Sequence, residues 1–241
     1  MKKILLFVLL LVATASTFAQ EKTLNSAFYK TKMGHGWQFQ TVFGAFVDKF
    51  WPANGNNPRV AYNITGGQHH TEVLVIYNIG KSFTDRDLTN NIPDGYWDYF
   101  NFNVAPHVDN IIGDVMVYRP DYSNSAFGDR SDKAINTLYE IKGIGNSKVF
   151  TDILKKFPKV WDKMGLKVAC YTTTTGTDRL ITARRLPNGW KELDDTSSNF
   201  PTVYDEIYGK GSFDKDAIVV SSWRTRIDRF MITKNKEMSS K

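Results

Sequence analysis

Cysteine is nearly absent from this 241-residue chain: Cys170 is its one thiol. A single thiol closes no intrachain disulfide, so packing has to hold the fold. Aromatic residues, 14% of the chain, supply bulky side chains for such a core. Cys170 sits between Ala169 and Tyr171 in a run with strand character, and nothing in the sequence sets a base beside it. It reads as a small buried apolar residue rather than a nucleophile. Long apolar runs are also missing. The one clear run, Ile4 to Ala13, is too short for a comfortable membrane span. It follows Lys2 and Lys3, and Thr17 and Ala19 stand where a signal peptidase reads small residues. Residues 1–19 are therefore expected to be a signal peptide, and the rest an exported protein of the periplasm or exterior with no membrane span.

Familiar catalytic and phosphate-binding patterns are lacking as well. There is no GxSxG, no GxxxxGK and no paired-cysteine metal motif. The net charge is +6, unevenly spread: residues 21–122 hold 8 Lys/Arg and 10 Asp/Glu, residues 123–241 hold 21 and 15. Much of the excess is Lys155, Lys156, Lys159, Lys163 and Lys167, which follow the outer face of a helix and read as solvated surface. Without a nucleic-acid motif the balance does not point to DNA or RNA. It is compatible with an anionic ligand or surface.

What the chain does have is a repeat. "YNITGG" (Tyr62–Gly67) returns 109 residues later as "YTTTTG" (Tyr171–Gly176). Around each copy the same order can be read. In the second half, "TLYEIKGIG" has strand composition. From Val149 to Met164 apolar residues recur at steps of three and four, interrupted by Pro158. "LKVACYTTTTG" and "RLITARRL" are strands, "FPTVYDEIYG" a short helix, Phe213–Ser222 a further turn or two, and "RTRIDRFMIT" a last strand. In the first half, "AFYKTKMGHG" leads into a helix with Trp37, Phe39, Val42, Phe43, Phe46, Val47, Phe50 and Trp51 on its apolar side. "RVAYNITGG" and "TEVLVIYNI" follow as strands, then a mostly apolar helix over Tyr96–Val108 and the strand "GDVMVYRPDYS". Gly34 and Gly36 fall in register with Gly143 and Gly145, and Gly67 with Gly176. The spacing predicts an α+β protein of two tandem ferredoxin-like β-α-β-β-α-β units, residues 20–122 and 137–241, joined by a polar linker over 123–136. Each antiparallel sheet would have one bare face, and the two faces can cover each other.

That order, the apolar first helix leading to a hairpin, and the closing "VYRPDYS" (Val117–Ser123) resemble the dimeric α/β-barrel superfamily. It includes antibiotic-biosynthesis and haem-degrading monooxygenases. The resemblance implies a pseudo-dimeric α/β barrel in one chain, either alone or as a homodimer. In haem-degrading members a histidine on the second helix ligates iron and a tryptophan about ten residues earlier presses on the porphyrin. "YWDYFNFNVAPH" places Trp97 and His107 in that relation, so haem is the cofactor the resemblance implies. Pro106 departs from a regular helix at that point, and Tyr29 and Lys30 stand where those members carry an asparagine.

Other candidates come from the residues themselves. His35, between Gly34 and Gly36, sits where a strand turns into a helix N-terminus; its counterpart is Ile144. His70 and Glu72 would share a face of the hairpin, a two-ligand candidate for a metal, while His69 would face the other way. Tyr62 and Tyr171, with Trp97, are candidates to line a ligand pocket. Three readings follow: a binding protein holding a small apolar or aromatic ligand between sheet and helices, a monooxygenase-like haem degrader, and an envelope protein that binds partners without a small ligand.

Overall fold

Period-two alternation builds the sheets. In the first strand, β1 (Thr23–Thr31), Leu24 and Phe28 face one side while Ala27 and Tyr29 face the other, and all four are buried. A strand with two apolar faces must be covered on both, and the rest of the fold supplies the covers. The computed structural model describes residues 22–53, 57–83, 92–129, 131–142, 148–175, 177–194 and 199–241. The signal segment, Gly143–Gly145 and Gly176 lie outside the described residues.

The first unit runs β1, α1 (Gly36–Phe50), β2 (Val60–Thr65), β3 (Val73–Lys81), α2 (Tyr96–Tyr99) and β4 (Val108–Tyr118). The second runs β5 (Lys133–Ile141), α3 (Lys148–Leu154), α4 (Phe157–Lys163), β6 (Lys167–Thr173), β7 (Arg179–Arg185), α5 (Phe200–Tyr208), α6 (Ser212–Trp223) and β8 (Arg224–Asn235). Spatial order is β4-β1-β3-β2 in the first sheet and β8-β5-β7-β6 in the second. The sheets also join at both edges. Ala61–Thr65 of β2 pair with Asn235–Met231 of β8, and Met116–Tyr118 of β4 with Thr173–Tyr171 of β6, closing an eight-stranded antiparallel barrel. Closure leaves those stretches no unpaired edge.

Three apolar layers result. The barrel interior holds Leu24, Phe28, Tyr62, Leu74, Tyr171, Phe230 and their neighbours. The first unit's helix–sheet layer holds Tyr29, Phe39, Phe43, Phe46, Val47 and Val104; the second unit's holds Phe150, Ile153, Trp161, Val168, Cys170 and Val220. Cys170 is buried there, and desolvation pushes its thiol up to about 12, so it stays protonated and inert.

Three boundaries differ from the sequence reading. The last residues of the expected linker are strand: Lys133–Asn136 belong to β5, paired to β7 and β8. Pairing on both sides overrides their polar composition. The helix expected over Tyr96–Val108 is an α-helical turn that loosens into a π-turn at Phe100–Val104 and tightens into a 3-10 turn at Ala105–His107, where Pro106 offers no N–H. The helix with Pro158 is two helices, and Pro158 sits in the first turn of α4, where its missing N–H is harmless.

The chain after β8 returns to the first unit. Met238 is buried in that unit's helix–sheet layer. Ala61 N–H donates to Ser239 Oγ at 3.0 Å, Arg59 N–H to Ser240 Oγ at 2.7 Å, and Ser240 N–H to the Arg59 carbonyl at 2.9 Å. Gly44 of α1 makes this docking possible, since a Cβ there would lie 2.6 Å from the Glu237 carbonyl oxygen. Glycine to alanine inside a helix ordinarily stabilises by about 0.5–1 kcal/mol. Gly44→Ala is expected to do the reverse, costing about 1–3 kcal/mol by overpacking. A raised denaturant midpoint for the variant would show that the tail does not dock here.

Candidate functional site

The two helix–sheet layers differ in how they are filled. In the first unit, Phe39, Phe43, Phe46 and Val47 of α1 are each no more than 1% exposed and close the layer. In the second, α3 and α4 are short, and the return from β7 to β8 carries a helix pair. Asp205 fixes that pair by accepting the Gly211 and Phe213 N–H groups at 2.8 Å each, and these backbone bonds hold its carboxyl below the ordinary range. Between the pair, α4 and the sheet lies a cavity of about 550 Å³. Its floor is formed by Thr137 and Tyr139 of β5, Val168 of β6, Thr182 and Arg184 of β7, and the start of β8. Its roof is aromatic. Phe157, Phe200, Tyr204 and Phe213 line it, with Phe157–Phe200 ring centroids 5.4 Å apart and Tyr204–Phe213 5.9 Å.

One irregularity sets the chemistry of the floor. In strict alternation Arg224 and Arg226 would face away from Arg229. Pairing with β5 shifts between Leu138 and Tyr139: Leu138 opposes Asp228, and Tyr139 opposes Arg226. Ile227 is the extra residue of a β-bulge, and it packs toward the barrel interior. Arg224, Arg226 and Arg229 thereby all line the cavity, with Arg184 of β7. The Arg224 guanidinium lies 4.1 Å from the Tyr139 ring centroid, a cation–π stack. Sequence reasoning missed these arginines and the Tyr204–Asp216 pair. The one signal was three arginines within "RTRIDR", on a strand that helices must cover.

Asp216 of α6 is the carboxylate on the wall. Its side chain is 14% exposed, and it accepts from Lys156 Nζ at 2.7 Å and from the Tyr204 hydroxyl. Burial alone would raise its pKa. The Lys156 and Tyr204 hydrogen bonds, with the charges of Lys156 and Lys215, outweigh this and hold it below the ordinary range. Burial first, and then the bond to Asp216, raise the Tyr204 phenol, which stays a neutral donor. A carboxylate depressed in the folded state stabilises above its unfolded pKa and loses that contribution as pH falls. Asp216→Asn is therefore expected to cost about 1–3 kcal/mol at pH 7. The gap to the unaltered protein should narrow below about pH 4 in a melting series; a pH-independent gap would contradict the ionised pair.

The residues singled out from the sequence are placed otherwise. His35 and His107, 72 residues apart, meet with Nδ1 atoms 2.9 Å apart, one ring donating and the other accepting. Trp97 does not join them as a pocket wall. The residue is 55% exposed, and its ring packs edge-on to Tyr96 and Phe100. Haem held between Trp97 and His107 does not fit, because the outer face of this sheet is closed by Phe39, Phe43, Phe46 and Val104. Haemin is accordingly expected to give no saturable Soret band that His107→Ala abolishes; a one-equivalent band lost in that variant would overturn this. Tyr62 and Tyr171 occupy equivalent places, but inside the barrel rather than in the helix–sheet cavity, where Tyr171 Oη accepts from Arg185 at 3.1 Å. The hairpin after β2 is a turn, not extended strand. It brings His69, not His70, to Glu72 at 2.9 Å, with the His69 ring stacked 4.2 Å from Phe28. His70 Nδ1 instead accepts the Gly66 N–H at 3.2 Å. Among the described residues no three His, Cys, Asp or Glu side chains gather as a metal site.

No protein-family model matches the chain, and no curated protein sequence matches it. Solved structures do. A provisionally assigned monooxygenase from Fusobacterium nucleatum superposes with a TM-score of 0.60, covering 91% of this chain and 94% of its own, at 12% identity. A provisionally assigned chlorite dismutase gives 0.52 over 90% and 96% at 9% identity, and an anthrone oxidase-like protein 0.52 over 92% and 94% at 9% identity. At these identities the likeness speaks for the fold alone: this chain has the dimeric α/β-barrel fold, built from two ferredoxin-like units in tandem.

Proposed function

We propose that this chain is an exported protein that binds a small aromatic or apolar molecule in the cavity between the sheet and helices of its second unit. The contrast between the two units carries this reading. The same skeleton fills most of one helix–sheet layer with phenylalanines, leaving about 250 Å³ beside the start of α1, and leaves about 550 Å³ open in the other. That volume falls in the range of sites for small organic molecules, and an aromatic lining with a few placed polar groups is their usual composition. The neighbours named as a monooxygenase, a chlorite dismutase and an anthrone oxidase-like protein share the architecture, so an enzymatic role is the second reading. Binding is favoured over it because Asp216, the carboxylate on the cavity wall, is already engaged by Lys156 and Tyr204 and is not free to take a proton from a substrate.

The test fills the cavity. Ala217 of α6 faces it. Where packing is complete, Ala217→Phe would destabilise by about 1–3 kcal/mol. In an open cavity the ring finds space, so the variant should keep its melting temperature. It should also lose at least about tenfold in affinity for the neutral fluorescent probe N-phenyl-1-naphthylamine. Unchanged probe affinity would remove the proposed site.

A further inference from the structure

The floor of this cavity carries more charge than an apolar ligand needs. Four guanidinium groups line it against one carboxylate. Asp216 answers Lys156, which leaves the arginines without it. Among the described residues none of the four forms an ion pair with a carboxylate. Arg184 reaches the Glu192 backbone carbonyl at 3.3 Å, and its Nε is buried with no partner. The Glu192 side chain is close enough to favour its charge, but Glu192 Oε1 accepts the Asn188 N–H at 2.6 Å. Arg224 is half-buried between the Tyr139 and Phe157 rings, 4.1 and 5.9 Å from their centroids. Desolvation weakens its cationic form, and among the described residues the groups that offset this are Tyr139 and Cys170 rather than a carboxylate. The bulge at Ile227 also turns Arg226 and Arg229 to the same face, where both are exposed. Opposite Thr137, Tyr139 and Ile141, the three arginines of β8 form a row about 14 Å long.

Partly desolvated cations without counter-ions, as at Arg184 and Arg224, are costly, and a guanidinium fork matches a planar or tetrahedral oxyanion. We infer that the cavity takes an aromatic or apolar molecule carrying an oxyanion, with the anion seated on Arg224 and the ring system against Phe157, Tyr139 and Phe200. Arg226, Arg229 and Arg184 extend the positive field to the mouth and draw the anion in. The inference rests on the cavity being the binding site and adds the chemical class of what enters it.

Two probes of nearly equal shape separate the two ideas: 8-anilinonaphthalene-1-sulfonate, which carries an oxyanion, and N-phenyl-1-naphthylamine, which does not. Both are titrated into the full chain and into Arg224→Met, Arg184→Met and Ala217→Phe. The sulfonate is expected to bind at least about tenfold tighter than the neutral probe. Arg224→Met should abolish that preference by lowering sulfonate affinity at least about tenfold more than neutral-probe affinity, with little change in melting temperature, since it replaces a half-buried, unpaired charge with an apolar chain of similar length. A merely structural Arg224 would instead lower the melting temperature without touching the preference. Equal binding of both probes, indifferent to the arginines but lost in Ala217→Phe, would overturn the anion inference and leave the apolar site standing. A preference abolished by Arg184→Met alone would overturn the seat on Arg224. Binding of neither probe would remove the cavity reading and this inference with it.

Discussion

A four-stranded sheet with helices on one side has two problems, a bare apolar face and two rows of unpaired backbone groups. This chain answers both with one operation. Placing a second sheet against the first buries the bare faces, and pairing β2 with β8 and β4 with β6 joins the edges. Neither solution is available to one unit alone. The linker between units therefore does more than tether: its last residues are already β5, the strand that sits between β7 and β8. The helices no longer carry the burden of closing the sheet edges; they still have to cover its outer apolar face, and the way they do so can vary.

The two helix layers use that freedom differently. α1 is a continuous helix with phenylalanines at steps of three and four, and their rings touch in series from Phe39 through Phe50 along the sheet. In the second unit the corresponding helix breaks before Phe157. The second connection doubles into α5 and α6, and aromatic side chains meet each other above the sheet instead of filling the space on it. Aromatic side chains thus build a filled layer in one unit and roof a cavity in the other. Two things differ between them: the first unit has the unbroken helix, and it has 18 aromatic residues over 20–122 against 12 over 137–241.

This also explains what could be read from the sequence. Alternation in the strands, the phenylalanine period of α1 and the equivalence of Tyr62 with Tyr171 are local patterns, and they led to the right order of elements and the right barrel. The cavity is not local. Phe157 and Phe39 stand in similar periodic runs, and only the packed structure distinguishes a ring that fills from a ring that roofs. The arginine face escaped for a sharper reason: simple alternation divides Arg224 and Arg226 from Arg229, and one bulged residue reunites them. His35 and His107 were each visible, but nothing in a one-dimensional pattern joins residues 72 positions apart. In the hairpin, a turn where extended strand was expected exchanged the roles of His69 and His70.

The segment after β8 has a consequence for how the protein is made. Met238, Ser239 and Ser240 complete the core and edge of the first unit, although they are synthesised after every strand of the second. The first unit's helix–sheet layer and the start of β2 are therefore complete only once these residues have docked. The core of one unit is thus finished by residues that follow the whole of the other in the chain, so the two cannot be separated by cutting between them without uncovering Phe39, Phe43 and β2.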